Sequence, residues 1–221
     1  FDWYIGRYLR LLPEGCLEPH AGLVFAPGAA EGDFAARLSA LYAAGHWSVW
    51  KYCLRRAFLQ ERGLQFREDV RWAEDVGFDL ELLAAGARMN FIDLVFTHYR
   101  ENRAGSLLND AKNLPRRFTA IAATWRHVEA MRETGALDAA AFAAARDAVA
   151  DVFWPQARTA AVPDQALRAA CLPGLRALRG LYPYGKEVRE QRSWRAYQLL
   201  LRTVGPKFAT WAASLGKGKA R

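Results

Sequence analysis

The residues in this 221-residue chain best suited to chemistry are two adjacent carboxylates, Glu74 and Asp75, in the stretch DVRWAEDVGFDLELL at positions 69–83. They follow an aromatic residue, Trp72, and open an apolar segment with helical spacing. Two uses fit such a pair. Acidic residues are favoured in the first turn of a helix, where the positive end of the helix dipole meets them. Alternatively, one of them removes a proton from a hydroxyl as that oxygen becomes a nucleophile. In either case the dipole is expected to keep a first-turn carboxylate ionised. The residue types alone leave both uses open. A little further on, FTHYR supplies His98 and Arg100. A lone histidine among apolar residues serves structure more often than metal binding. His20, His46 and His127 show no HExxH or other ligand spacing.

These groups need a scaffold, and hydrophobic periodicity outlines one. Residues 1–12 read as a strand, and LPEGCLEPHAGLVFAPGAAEGD reads as loop around a short LVF strand. A helix is expected over 33–45, with Phe34, Leu38, Leu41 and Tyr42 spaced along it, Asp33 as cap and Gly45 as stop. The segment 48–63 reads as a second helix ending at Gly63, followed by a short extended piece at 64–66. The acid pair opens the helix at 73–86, with Val76, Leu80 and Leu83 on one face and Gly86 at its end. Residues 88–100 read as one or two strands. After that come Ala-rich helices over 107–150, then helical stretches at 163–180 and 186–204. There is no internal repeat. The order is mixed α/β up to roughly residue 105 and nearly all α beyond it.

Composition excludes several classes. With 52% hydrophobic and 13% aromatic residues the chain is folded and globular. Its three cysteines, Cys16, Cys53 and Cys171, form no CxxC pair, so a disulfide framework or cysteine zinc site is not expected. A reducing compartment, the cytoplasm, fits best. No apolar run approaches the roughly 18 residues of a spanning helix, and the opening FDWYIGRYLR does not read as a signal peptide.

The segment 48–110 resembles the acceptor-side half of family-2 glycosyltransferases of the GT-A fold. The features that carry the resemblance are Trp50 before a Lys/Arg-rich segment, Phe58, Leu59 and Gly63, then Phe66, the Glu74–Asp75 pair opening a helix, Ile92, and Tyr99, Arg100 and Ser106. Their order and spacing make the match far more specific than an isolated acidic dipeptide. The fold so implied is α/β: the C-terminal part of a GT-A (Rossmann-like) glycosyltransferase domain over 1–106, then a mostly α-helical extension over 107–221 with a basic amphipathic tail.

The resemblance implies an inverting glycosyltransferase of hexosyltransferase type, acting in polysaccharide biosynthesis. It moves a sugar from a nucleotide-sugar donor to a hydroxyl of a glycan, cell-surface polymer or lipid-linked acceptor. Asp75 would be the general base, with Glu74 beside it positioning the acceptor. Trp50, Lys51, Trp72, Arg100, Arg103 and Ser106 would contact substrate, the tryptophans by stacking on a sugar ring and the arginines through planar sets of donors. A divalent metal, Mn or Mg, would stabilise the leaving diphosphate, with His98 as one ligand. The chain departs from the family pattern in lacking any Asp-x-Asp and any glycine-rich phosphate loop. The expectation is therefore that the nucleotide-binding half lies upstream of Phe1.

The net charge of +8 is concentrated at one end: residues 176–221 carry 11 Lys/Arg and 2 Asp/Glu. Within them, 186–206 place Trp194, Tyr197, Leu200, Leu201 and Val204 on one helical side and Arg192, Arg195 and Arg202 on the other. Such a helix either packs on its own core or lies peripherally on the inner face of the membrane. Two rival readings stay open: a transferase-like scaffold that only binds glycan, and a basic helical nucleic-acid binder. The second lacks any helix-turn-helix, RRM-like or zinc-finger signature, so nucleic acid is not the expected partner.

Overall fold

The computed structural model describes residues 1–12, 14–19, 27–43, 48–100, 111–160, 164–182, 184, 199, 203, 205–207 and 209. Strand β1 (Trp3–Leu11) lies inside a mixed sheet. On one side it pairs antiparallel with β2 (Leu17–Pro19) and with β4 (Tyr52–Leu54). On the other it runs parallel to β5 (Met89–Arg100), which pairs antiparallel with β3 (Gly28–Ala30). The register between β1 and β5 shifts around Gly6 and Arg7. A Cβ on Gly6 would stand 2.6 Å from the Phe96 ring, so only glycine allows the strands to approach there.

Helices accompany the sheet along the described residues. Helix α1 (Phe34–Ala43) starts at Asp33, whose Oδ1 accepts the Ala36 N–H at 2.8 Å. The short α2 (Arg56–Arg62) stops at Gly63, held at φ 63°. Helix α3 (Glu74–Ala84) ends before Gly86, at φ 81°. Helices α4 (Leu114–Glu133), α5 (Ala139–Thr159) and α6 (Gln165–Ala177) follow, and Asp164 caps the last by accepting the Leu167 N–H. Helix α1 packs on α3 and α5, α3 on α4, and α4 on both α5 and α6. Gly174 lets α6 approach α4 so closely that a Cβ there would lie 2.2 Å from the Phe118 Cβ. One continuous core runs from Trp3 and Ile5 through Leu41, Leu80 and Met89 to Phe118, Phe153 and Trp154.

The expected order of a mixed sheet followed by helices is what the chain adopts. Some element assignments need correction. The single helix expected over 48–63 is a 3₁₀ turn (Val49–Lys51), then β4, then α2. Pairing of Tyr52, Cys53 and Leu54 with Ile5, Tyr4 and Trp3 overrides local helical preference. Two short strands, β2 and β3, occupy a stretch expected to be largely loop. The expected 23–25 strand and most of the 186–204 helix lie outside the described residues.

Candidate active site

Asp75 stands in the first turn of α3, a helix that begins immediately after a strained residue. Ala73 adopts left-handed φ 51° and ψ 35°, a conformation that costs a non-glycine residue about 1–2 kcal/mol. It is the sole non-glycine residue at positive φ among those described. The chain upstream is braced by Arg67, which holds Asp69 through two contacts of 3.0 and 2.7 Å, and by the buried Val70.

The Asp75 carboxylate is partly buried, and its Oδ1 accepts the Val76 N–H at 3.0 Å. Burial, then the neighbouring Glu74 charge, push its pKa up to about 7 against the favourable backbone hydrogen bonds. The dipole-based expectation of a firmly ionised carboxylate is thereby corrected. Desolvation shifts a buried acid by up to roughly 3–5 units, whereas a helix terminus contributes less than about one. Glu74, by contrast, is exposed.

One turn further along α3, Asp79 is fully buried, and the Tyr52 hydroxyl donates to its Oδ2 at 2.8 Å. Lys51 is 1% exposed, its pKa lowered to about 8 by burial while the Asp79 charge opposes the shift. The expected substrate contact from Lys51 is therefore corrected: its side chain is sealed beside Asp79 because one buried charge needs the other. Burial and the Asp79 charge hold the Tyr52 hydroxyl well above its usual range, with a smaller contribution from Asp75. A polar group of Lys51, Tyr52 and Asp79 thus underlies the mouth of α3. The sequence reading missed Tyr52 and Asp79. The available signal was the four-residue spacing of Asp75 and Asp79, which places both on one side of a helix.

Trp50 is half-exposed and part of an aromatic platform. Its ring stacks on Tyr99 at 4.9 Å and 8°, and meets Tyr8 edge-on at 4.7 Å. The Thr97 hydroxyl fixes the backbone by donating to the Trp50 carbonyl at 2.7 Å. Since side chains alternate along a strand, Thr97 and Tyr99 share one face of β5, and His98 and Arg100 the other. Both of the latter are exposed. The structure thus brings Trp50 to Tyr99 and places His98 and Arg100 across the strand from them. No group of three or more His, Cys, Asp or Glu able to hold a metal ion occurs among the described residues. His98 offers a single imidazole there and does not by itself fit a divalent ion. Trp72 lies beside Arg117, whose guanidinium is 5.6 Å from the indole ring. Arg103 and Ser106 lie outside the described residues.

No family model matches the chain. Over 56 residues it is 39% identical to the uncharacterized glycosyltransferase EpsJ of Bacillus subtilis (strain 168), covering 25% of this chain and 16% of that protein. Its fold matches the crystal structure of S. aureus TarS 1-349 in complex with UDP-GlcNAc with a TM-score of 0.61 at 11% sequence identity. That match covers 100% of this chain and 60% of the other. The chain therefore spans a small part of its curated relative and somewhat under two thirds of the solved one. A mixed α/β sheet continuing into helices, with an acid pair at the mouth of α3 and a stretch of glycosyltransferase-like sequence, makes this chain one that resembles the family-2 glycosyltransferases.

Proposed function

We propose that the chain serves in an inverting glycosyltransferase, of hexosyltransferase type, with Asp75 as general base. In the step proposed, an acceptor hydroxyl oxygen bonds to the anomeric carbon of a nucleotide-sugar. The bond from that carbon to the diphosphate oxygen breaks, and the nucleoside diphosphate leaves with the electron pair. The hydroxyl proton passes to Asp75. The acceptor on this reading is a glycan or other cell-surface polymer.

The observation that carries this reading is the state of Asp75. A carboxylate pushed up to about 7 holds a proton strongly enough to take one from an alcohol in the transition state, yet is substantially ionised near neutrality. Ala73 strain at the same point is the kind of local cost that clusters at functional sites. The EpsJ resemblance and the TarS fold support sugar transfer in general, and the TarS complex supports a nucleotide-sugar as donor. Trp50, backed by Tyr99, suits stacking against a sugar ring. The divalent metal rests on the family resemblance alone, and no step is derived through it. All three cysteines are free, which accords with a cytoplasmic setting. No helix among the described residues is long and apolar enough to cross a membrane.

The test is turnover by the full-length protein with a panel of nucleotide-sugars and Mn or Mg. Asp75→Asn should lower kcat by roughly 10²–10⁴-fold with the far-UV circular dichroism unchanged. Turnover within a few fold of wild type in that variant would remove Asp75 from the chemistry.

A further inference from the structure

Beside the mouth of α3 lies a cavity of about 530 Å³, lined by Asp69, Arg71, Trp72 and, from the start of α4, Asn113, Arg116 and Arg117 among others. That volume falls within the roughly 300–1,000 Å³ of small-ligand sites. Its charge is one-sided. The carboxylate of Asp69 is already engaged by Arg67 through two hydrogen bonds. Arg71 and Arg116 are exposed and have no carboxylate partner among the described residues. Arg117 is 5% exposed, and its Nη1 donates to the neutral side chain of Gln156 at 3.0 Å. Its guanidinium also stands 5.6 Å from the Trp72 ring. An indole wall beside the exposed guanidinium groups of Arg71 and Arg116 suits a ligand that combines a ring with an anionic substituent.

The cavity is joined to the proposed base through the chain. Its lining residues Asp69, Arg71 and Trp72 lead in sequence into Ala73 and Asp75, and α3 packs on α4, where a Cβ on Gly77 would meet Thr124 Cγ2 at an ordinary 3.7 Å. We propose that this cavity is a subsite for an anionic sugar unit, phosphate- or carboxylate-bearing, of the polymer that accepts the transferred sugar. Assigning the ligand to the acceptor rests on the transferase reading; the preference for an anionic sugar does not.

Binding is measured by titration calorimetry on the full-length protein, with maltotriose, its phosphorylated derivative, inorganic phosphate and UDP as probes. Phosphorylated maltotriose should bind at least about tenfold more tightly than maltotriose, with an affinity that falls as salt rises. Arg71→Gln with Arg116→Gln should abolish that difference and leave maltotriose binding unchanged. Equal binding of the two trisaccharides, or a preference that survives the double substitution, would overturn the subsite. So would inorganic phosphate binding as tightly as phosphorylated maltotriose, which would mark the cavity as a site for an adventitious ion only. Competition by UDP that is lost in the double variant would assign the arginines to the donor and likewise overturn it. Because binding is read without turnover, failure here is distinguishable from failure of Asp75 as base. An Asp75→Asn protein that still prefers the phosphorylated sugar keeps the subsite even if transfer proves independent of Asp75.

Discussion

Asp2, just before the inner strand β1, and Asp75, at the mouth of α3, are both shielded from solvent, yet their surroundings drive them in opposite directions. Asp2 is 4% exposed and meets Arg88 Nε at 3.0 Å and Arg55 Nη2 at 2.8 Å. Hydrogen bonding from the Arg88 side chain is the largest influence, and it outweighs burial to hold the pKa down at about 2. Asp75 has backbone hydrogen bonds but a second carboxylate as its nearest charged influence, so burial wins and its pKa stands at about 7. Paired arginines hold one acid as an anion, whereas the other, without a cation beside it among the described residues, is able to exchange its proton near neutrality. Environments that separate two acids in this way commonly mark structural and chemical roles respectively. Asp79 is a third case, buried but supplied with the Tyr52 hydroxyl and the Lys51 charge.

Unfolding measurements across pH distinguish these environments, and Asp75 should show the strongest response. Asp75 has a folded pKa of about 7 against an ordinary value of 3.8. Between those pH values the folded state retains a proton that the unfolded chain has released, so stability falls as pH rises through the window. About three units correspond to at most about 4 kcal/mol. Asp75→Asn removes this cost and should therefore be more stable than wild type at pH 8 and equal to it near pH 4, as urea titrations would report. A constant difference across that range would contradict the raised pKa.

Tyr52→Phe probes the support that Asp79 receives. It deletes the 2.8 Å hydrogen bond to a fully buried carboxylate and should cost about 1–3 kcal/mol in thermal or urea unfolding. A loss below about 0.5 kcal/mol would mean that Asp79 is held by its other neighbours. At Asp2 the sign is opposite to that at Asp75. Its lowered pKa supplies stability that is full above about 4 and lost as pH falls toward about 2. Because Arg55 and Arg88 are themselves substantially exposed, solvent screens the pair, and Asp2→Asn should cost only about 1–2 kcal/mol at pH 7. That deficit should vanish near pH 2; a deficit independent of pH would point to packing rather than charge.

The sequence made much of this arrangement legible where local chemistry decides it. Asp33 caps α1, Gly63 stops α2, and α3 begins at Glu74, because side-chain capping, a left-handed glycine and first-turn acids are set by neighbours in the chain. Resemblance to glycosyltransferases was likewise readable from the order of residues around the acid pair. What escaped depends on partners distant in sequence. Gly28–Ala30 has little strand preference and becomes a strand only against Met89–Phe91. Lys51 was placed among the substrate contacts by the resemblance, and only the fold buries it near Asp79, about one helical turn below Asp75. The proton affinity of Asp75 was misjudged for the same reason, since burial cannot be weighed until the neighbours of α3 are known.

The most direct measurement is a ¹³C NMR titration of the aspartate side-chain carboxyls, with the Asp75 resonance identified by its absence in Asp75→Asn. Held by burial beside Glu74, Asp75 should titrate close to pH 7, well apart from the exposed carboxylates. A midpoint near 4 would leave it an ordinary first-turn acid and contradict its assignment as the base.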